Sequence, residues 1–300
     1  MLSPFAKTLE DLSPEDPYYQ KGYAVYLSLI TMRDMHAYFI DNIHKYVSDT
    51  IGPWRLLSVG CGNGQLDLDL LDIISQRFPL LDIEYVGLEP NRCRLDLFKK
   101  NISLYPSVSR YHFQLEQIDL DGYENRKNSE KFNLILCVRV LYYMYDKLES
   151  TFMRLINRLT VKGKLLAVHQ SPSGIVQIIH AAGLEQQSPI QSCNTFHLRQ
   201  ALEKLVSQMP SLHFSITYLD NYVDISCLKN INSNDESERE NALSLFSFFL
   251  NKKLTGIDRE LVEKTAIECI LSLVAFRKAG NTDSCLMFQP IGIVSLELQS

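Results

Sequence analysis

Three glycines at alternate positions and one acid further along are the residues of this chain best suited to chemistry. Gly60, Gly62 and Gly64 lie in RLLSVGCGNGQLDLDLL (55–71), between a short apolar run and a second apolar segment of different period. Glycine adopts positive φ and leaves no Cβ between backbone and ligand. The stretch Gly60 to Gly64, with Cys61 inside it, therefore reads either as a tight strand-to-helix turn or as a loop on which a ligand rests. Glu89 closes the next apolar run, in VGLEP, and is followed by Pro90. A carboxylate in that place can accept two ribose hydroxyls. Loop and acid together make a nucleoside-binding constellation.

The spacing narrows the nucleoside. A dinucleotide fingerprint needs G-x-G-x-x-G, and its third glycine position is occupied here by Gln65. A pyrophosphate would also use the free helix N-terminus. G-x-G-x-G suits a ligand without phosphates, so S-adenosylmethionine is the expected cofactor and a nicotinamide dehydrogenase is disfavoured. The acid that many methyltransferases carry two residues before the first glycine is absent, and Ser58 stands there.

Other residues have two readings each. His169, in AVHQSPSG, is a general base near neutral pH or a hydrogen-bonded strand-end histidine. Arg139 binds a substrate carboxylate through a bidentate contact, or it faces solvent or an internal partner. Phe248, in LFSFFL (245–250), roofs a pocket or packs a core. Tyr19 and Tyr23 form a lid or an ordinary surface segment. His36 and His44 are too far apart for an HxxxH pair, and CxxC is absent, so no metal is expected.

These residues need elements to hold them. Apolar strands at 55–59, 82–90, 109–118, 132–140 and 162–170 alternate with helices at 65–78, 91–105 and 146–160. Such alternation predicts a parallel sheet covered on both faces, wound in both directions from a switch point. One or two amphipathic helices are expected over 23–47, and another over 197–209. A long strand kinked near Asp220-Asn221 spans 212–226, and one interrupted at Pro290 spans 284–298. Paired at one sheet edge, they close an α/β fold with a doubly wound, mostly parallel seven-stranded sheet and an antiparallel C-terminal strand pair. A polar connector (230–240) and apolar helices at 241–254 and 258–276 form a helical cap. The expected division is a core of 1–226 plus 284–300 with an N-terminal helical lid, and a cap or substrate subdomain of 227–283.

Composition bounds the function. The chain has 300 residues, 46% of them apolar, and a net charge of −5. Lys and Arg are scattered, which disfavours nucleic acid as a partner. Seven cysteines without a CxxC pair, a polar acidic start and no apolar run of membrane-spanning length point to a reduced, cytoplasmic protein with no membrane partner. A monomer acting on a small molecule is expected.

SVGCGNGQLDLDLL, GLEP, RVLYY (139–143) and YVDIS (222–226) resemble the histamine N-methyltransferase family of class I methyltransferases, in matching order from about residue 20 onward. The resemblance implies a Rossmann-like fold and cofactor contacts from Gly60 and Glu89. It puts Arg94 in the place of a cofactor-contacting glutamine and Ile118 beside the adenine, flanked by Gln117 and Asp119. Val138 takes the place of a branched residue near the cofactor, and Tyr142 and Tyr143 belong to the aromatic wall around the acceptor. The chain also departs from the family. An amine-recognising glutamate falls at Met32, with Asp34 nearby, and a C-terminal asparagine falls at Pro290. Pocket tryptophans fall near Ile175 and Ile179, and a glutamine becomes Arg139. Fold and cofactor carry over; histamine does not. The expected activity is methylation of a small molecule, foremost at nitrogen of an amine or imidazole-type metabolite. The alternatives are O- or carboxyl-methylation of an anionic molecule, or a non-catalytic cofactor-binding module.

Overall fold

The computed structural model describes residues 9–13, 16–29, 33–47, 53–126, 129–186, 192–254, 256–257, 259–271, 277–278 and 285–299. The strands are β1 (Trp54–Val59), β2 (Ile83–Leu88), β3 (His112–Glu116), β4 (Phe132–Val138), β5 (Leu159–Gln170), β6 (Leu212–Leu219), β7 (Tyr222–Asp224), β8 (Arg277–Lys278), β9 (Cys285–Phe288) and β10 (Ile291–Leu298). The helices are α1 (Pro17–Leu29), α2 (Arg33–Asn42), α3 (Gln65–Arg77), α4 (Arg92–Ile102), α5 (Leu120–Glu124), α6 (Leu148–Ile156), α7 (Ile175–Ala181), α8 (Thr195–Gln208), α9 (Glu236–Leu250) and α10 (Arg259–Leu271).

Seven strands form one sheet in the order β3-β2-β1-β4-β5-β10-β6. β1 runs parallel to β2 and β4, β2 to β3, and β4 to β5. The central strands are buried nearly throughout, as in Phe132 to Cys137, which is why they read as unbroken apolar runs. The edge strands β3 and β6 keep exposed positions along their length, consistent with edges that must not recruit another chain. β10 runs against β5: the Ser171 N–H donates to the Pro290 carbonyl at 3.2 Å and Lys164 pairs with Glu297 at 2.6 Å. The expected doubly wound, mostly parallel sheet with an antiparallel C-terminal pair is what forms.

The two long C-terminal strands are each divided between two sheets. β6 and β10 lie in the large sheet, while β7 and β9 pair antiparallel in a separate sheet of order β7-β9-β8. The kink at Asn221 and the break at Pro290 are therefore sheet switches. The Gln289 N–H donates to the Asn221 carbonyl at 2.8 Å, so the backbone stays paired through the change. The stretch 236–240 is helical rather than a connector. The Asp235 carboxylate caps it, accepting from the N–H groups of Ser237 and Glu238 at 2.9 and 3.0 Å, so its polar residues are the solvated first turn of α9.

Two compact units can be drawn. One comprises residues 33–169, 197–217 and 292–300, and holds the large sheet. The other comprises 1–32, 170–196 and 218–291. Its core joins Tyr26, Ile178, Ile179, Val223, Leu245, Phe246, Phe249 and Met287. Full burial of each such side chain contributes about 1.5–3 kcal/mol. Among the described residues, no helix is long and apolar enough to cross a membrane.

Candidate functional site

β1 ends at Val59 and the chain enters α3 through Gly60 to Gly64. All three glycines have positive φ, at 67°, 58° and 73°. A Cβ on Gly60 would lie 2.5 Å from Val140 Cγ2, and one on Gly64 would lie 2.3 Å from the Phe98 ring. On Gly62 it would meet nothing within 4 Å. Two of the three glycines thus serve the protein's own packing, and Gly62 alone opens onto space. Cys61, within the loop, is buried, and its N–H donates to the Leu88 carbonyl at 3.0 Å, tying the loop to β2.

Glu89 follows β2 directly and is 6% exposed. One carboxylate oxygen accepts the Gly62 N–H at 3.0 Å and the other accepts the Asn91 N–H at 2.9 Å. Each oxygen has a further lone pair, so the group is oriented by the backbone with accepting capacity left over. Asn91 also caps α4, its side-chain oxygen accepting the Arg94 N–H at 3.1 Å. Pro90 is exposed and Arg94 half-buried.

Beyond β3, Ile118 is half-buried and Gln117 is exposed, its amide reaching the Pro90 carbonyl at 3.4 Å. Asp119 is the cap of α5, accepting the Gly122 N–H at 2.7 Å. Its carboxylate thus has a structural task that the sequence did not reveal.

At the end of β4, Val138 and Arg139 are half-buried. Arg139 has φ +48° and donates its N–H to the Val168 carbonyl at 2.8 Å. A non-glycine residue held left-handed at a strand end carries backbone strain, which collects at functional sites. Tyr142 and Tyr143 follow in a 3-10 turn, with ring centroids 4.5 Å apart, and Tyr143 is 47% exposed. His169, near the end of β5, is buried and meets Tyr142 edge-on at 5.8 Å. The structure therefore brings Arg139, Tyr142, Tyr143 and His169 to the carboxyl ends of β4 and β5, and Gly62 and Glu89 to those of β1 and β2.

Tyr19, Tyr23 and Phe248 belong to the other unit and gather there. The Phe248 ring lies 5.2 Å from Tyr19, 5.7 Å from Tyr23 and 5.2 Å from Tyr26. Ile175 and Ile179 are core residues of that unit. Met32 lies outside the described residues, as does the side chain of Asp34.

Sequence reasoning missed Asp67. It lies in the first turn of α3, is 3% exposed, and accepts from the Tyr85 hydroxyl at 2.8 Å and from Ser58. Burial pushes its carboxyl up to about 6, while the Ser58 and Tyr85 hydrogen bonds pull it down. The signal was present: Asp67 shares a helix face with Leu71 and Ile74, both buried. An acid on an apolar stripe needs a reason.

No family profile matches the chain. It is 24% identical over 168 residues to histamine N-methyltransferase of Xenopus tropicalis, covering 53% of this chain and 57% of that one. Over 211 residues it is 22% identical to the Bos taurus protein of that name, covering 67% and 72%. It is also 29% identical over 123 residues to carnosine N-methyltransferase 2 of Gallus gallus, covering 40% and 38%. The chain spans less than two thirds of the length of the amphibian relative and of the Danio rerio one, at 57% and 59%. Among solved structures, the plantazolicin methyltransferase BpumL in complex with SAH superposes with a TM-score of 0.50 at 14% identity, covering 95% of this chain and 92% of that one. The resemblance to histamine N-methyltransferases holds in these relatives, and the fold is that of the class I methyltransferases.

Proposed function

We propose that this chain, with its class I methyltransferase fold and its likeness to histamine and carnosine N-methyltransferases, is an S-adenosylmethionine-dependent methyltransferase acting on a small molecule. The observation that carries the reading is Glu89. Its carboxylate is locked by the Gly62 and Asn91 N–H groups beside the one glycine of the loop that opens onto space. In this reading Glu89 holds the ribose hydroxyls, Gly62 lets the methionine end approach the backbone, and Ile118 covers the adenine between Gln117 and Asp119. Gly60, Cys61, Gly64, Pro90, Arg94 and Val138 complete the surround.

The donor supplies a methyl group already activated by a positive sulfur. An acceptor would take that methyl with its lone pair, the electrons of the broken carbon–sulfur bond staying on sulfur. The chain's task is then to align acceptor and methyl and to exclude water, for which alignment alone is worth roughly 7 kcal/mol or more. An amine acceptor must arrive or become unprotonated. A pocket walled by Tyr142 and Tyr143 disfavours the ammonium form, and His169 takes the proton. Nitrogen of an amine or imidazole-type metabolite is the favoured acceptor, by the likeness to the relatives above.

Arg139 favours a second reading, in which the acceptor is anionic and the methyl goes to oxygen or a carboxylate. The tests are direct. S-adenosylhomocysteine should bind in calorimetry with one site, and a chain that gives no heat with it is not this enzyme. Labelled methyl donor offered with panels of amines and acids should label a product. Label lost in mild base supports a carboxyl ester, base-stable label excludes one, and mass spectrometry of the stable product separates nitrogen from ether oxygen. Arg139→Glu should raise the KM for an anionic acceptor and leave cofactor binding intact; unchanged acceptor kinetics would remove Arg139 from the pocket.

A further inference from the structure

A buried carboxylate lies under the glycine loop with no part yet assigned in the chemistry. Asp67 lies in the first turn of α3, is 3% exposed, and acts on the Cys61 thiol inside the Gly60 to Gly64 loop. It accepts from the Tyr85 hydroxyl of β2 at 2.8 Å and from the Ser58 hydroxyl of β1. Ser58 is the position two residues before the first glycine, from which the acid is missing. A carboxylate thus reaches the end of β1 from α3, held by the hydroxyls of Ser58 and Tyr85. Both donors are themselves buried, at 1% exposure each. A charge-capable group fully withdrawn from water is costly unless paired, and here its partners are neutral.

We infer that Asp67 is a positioning residue that supplies, from the first turn of α3, the negative charge absent from the end of β1 and thereby favours a cationic methyl donor at the glycine loop. The inference rests on the methyl-donor reading. Its physical content is electrostatic. A carboxylate in a region of low dielectric acts on a cation nearby far more strongly than it would through water. S-adenosylmethionine carries one more positive charge, on sulfur, than S-adenosylhomocysteine does. Ionised Asp67 therefore tightens the first more than the second.

Other groups face the same place. Glu89 reaches the loop from the end of β2 through Gly62, the Cys61 thiol lies in the loop, and the Tyr85 phenol comes from β2. Burial, with Asp67 and Glu89 nearby, drives the Cys61 thiol up, and burial with Asp67 drives the Tyr85 phenol up. Neither of these ionises in the range where Asp67 does. The Asp67 variants therefore isolate this carboxylate from the other groups at the loop.

The experiment is calorimetric titration of the full chain with S-adenosylmethionine and with S-adenosylhomocysteine at pH 5, 6 and 7. Wild type should bind the sulfonium about fivefold more tightly at pH 7 than at pH 5, the part of a one-unit pKa coupling that falls in this range, and S-adenosylhomocysteine with a smaller change. Asp67→Asn keeps an oxygen to accept from Tyr85. It should bind S-adenosylmethionine with the weaker, pH-5 affinity at every pH. Tyr85→Phe removes a donor to the ionised form, so the midpoint of the pH dependence should move upward. An Asp67→Asn protein that keeps the wild-type pH dependence places its origin outside Asp67 and overturns the inference. One that loses both ligands equally at every pH has lost structure only, which also overturns it. Wild type that binds neither ligand at any pH brings down the methyl-donor reading, and this inference with it.

Discussion

At the scale of single residues, the glycine loop shows how one sequence pattern can hold two kinds of necessity. Gly64 is required by the Phe98 ring and by its left-handed φ, whereas Gly62 is required by φ and by whatever approaches it. Gly64→Ala should therefore destabilise the protein by about 2–4 kcal/mol, strain and overpacking together. Gly62→Ala should cost only the strain, about 1–2 kcal/mol, yet weaken cofactor binding the more. Urea unfolding and calorimetry on the two variants check this, and a Gly62→Ala protein with unchanged affinity would mean that the loop is only a turn. Asp67 makes a second residue-scale prediction, independent of any ligand. Its carboxyl is raised from 3.8 to about 6 in the folded chain, so between those values the native state binds the extra proton. Stability then falls as pH rises from 4 through 6 and levels off above, by on the order of 3 kcal/mol. Asp67→Asn should lack this fall and be more stable than wild type at pH 7 in chemical denaturation. Equal stability of the two at pH 5 and 7 would contradict the burial of an ionisable group there.

At the scale of elements, close approach decides what a helix can carry. Gly22 of α1 is buried, and a Cβ on it would lie 2.2 Å from the Ser244 carbonyl oxygen of α9 and 2.7 Å from Phe248 Cβ. The absence of a side chain at one point lets the helices pack closely enough for Tyr19, Tyr23 and Tyr26 to reach the Phe248 ring. Gly22→Ala should push α1 away from α9 at a cost of about 1–3 kcal/mol. Faster amide exchange along Pro17 to Leu29, with exchange in β1 and β4 unchanged, is the expected readout. The sequence showed these aromatic residues but not that they meet, since Tyr19 and Gly22 precede the helix it predicts from Tyr23, whereas α1 starts at Pro17. Element limits were better foretold for strands than for the polar ends of helices. Phe132 to Cys137 can only be a buried strand, but 236–240 looks like a linker because its side chains face water and its order comes from the Asp235 cap.

At the scale of the molecule, ligand and fold are coupled by mass action. A nucleoside that binds only the folded chain should add about 2.7 kcal/mol at a hundredfold excess over its Kd. S-adenosylhomocysteine should therefore raise Tm by several degrees, and NAD should not. Amide exchange should slow first at Gly60 to Gly64 and around Glu89, whose N–H partners form the proposed seat. A shift with NAD and none with S-adenosylhomocysteine would reverse the assignment drawn from Gln65.

The sequence by itself determined the doubly wound sheet, the place of the glycine loop at the end of β1 and the acid at the end of β2. Each depends on local pattern: unbroken apolar runs make central strands, and glycines spaced by two make a left-handed turn. Only the tertiary structure decided which glycine opens onto space, because that depends on Val140 and Phe98, which arrive from distant elements. It also decided that Asp67 meets Ser58 and Tyr85, and that the ribbons at Asn221 and Pro290 pass from one sheet to the other. Periodicity reports which face of an element is buried, and it is silent about which neighbour buries it.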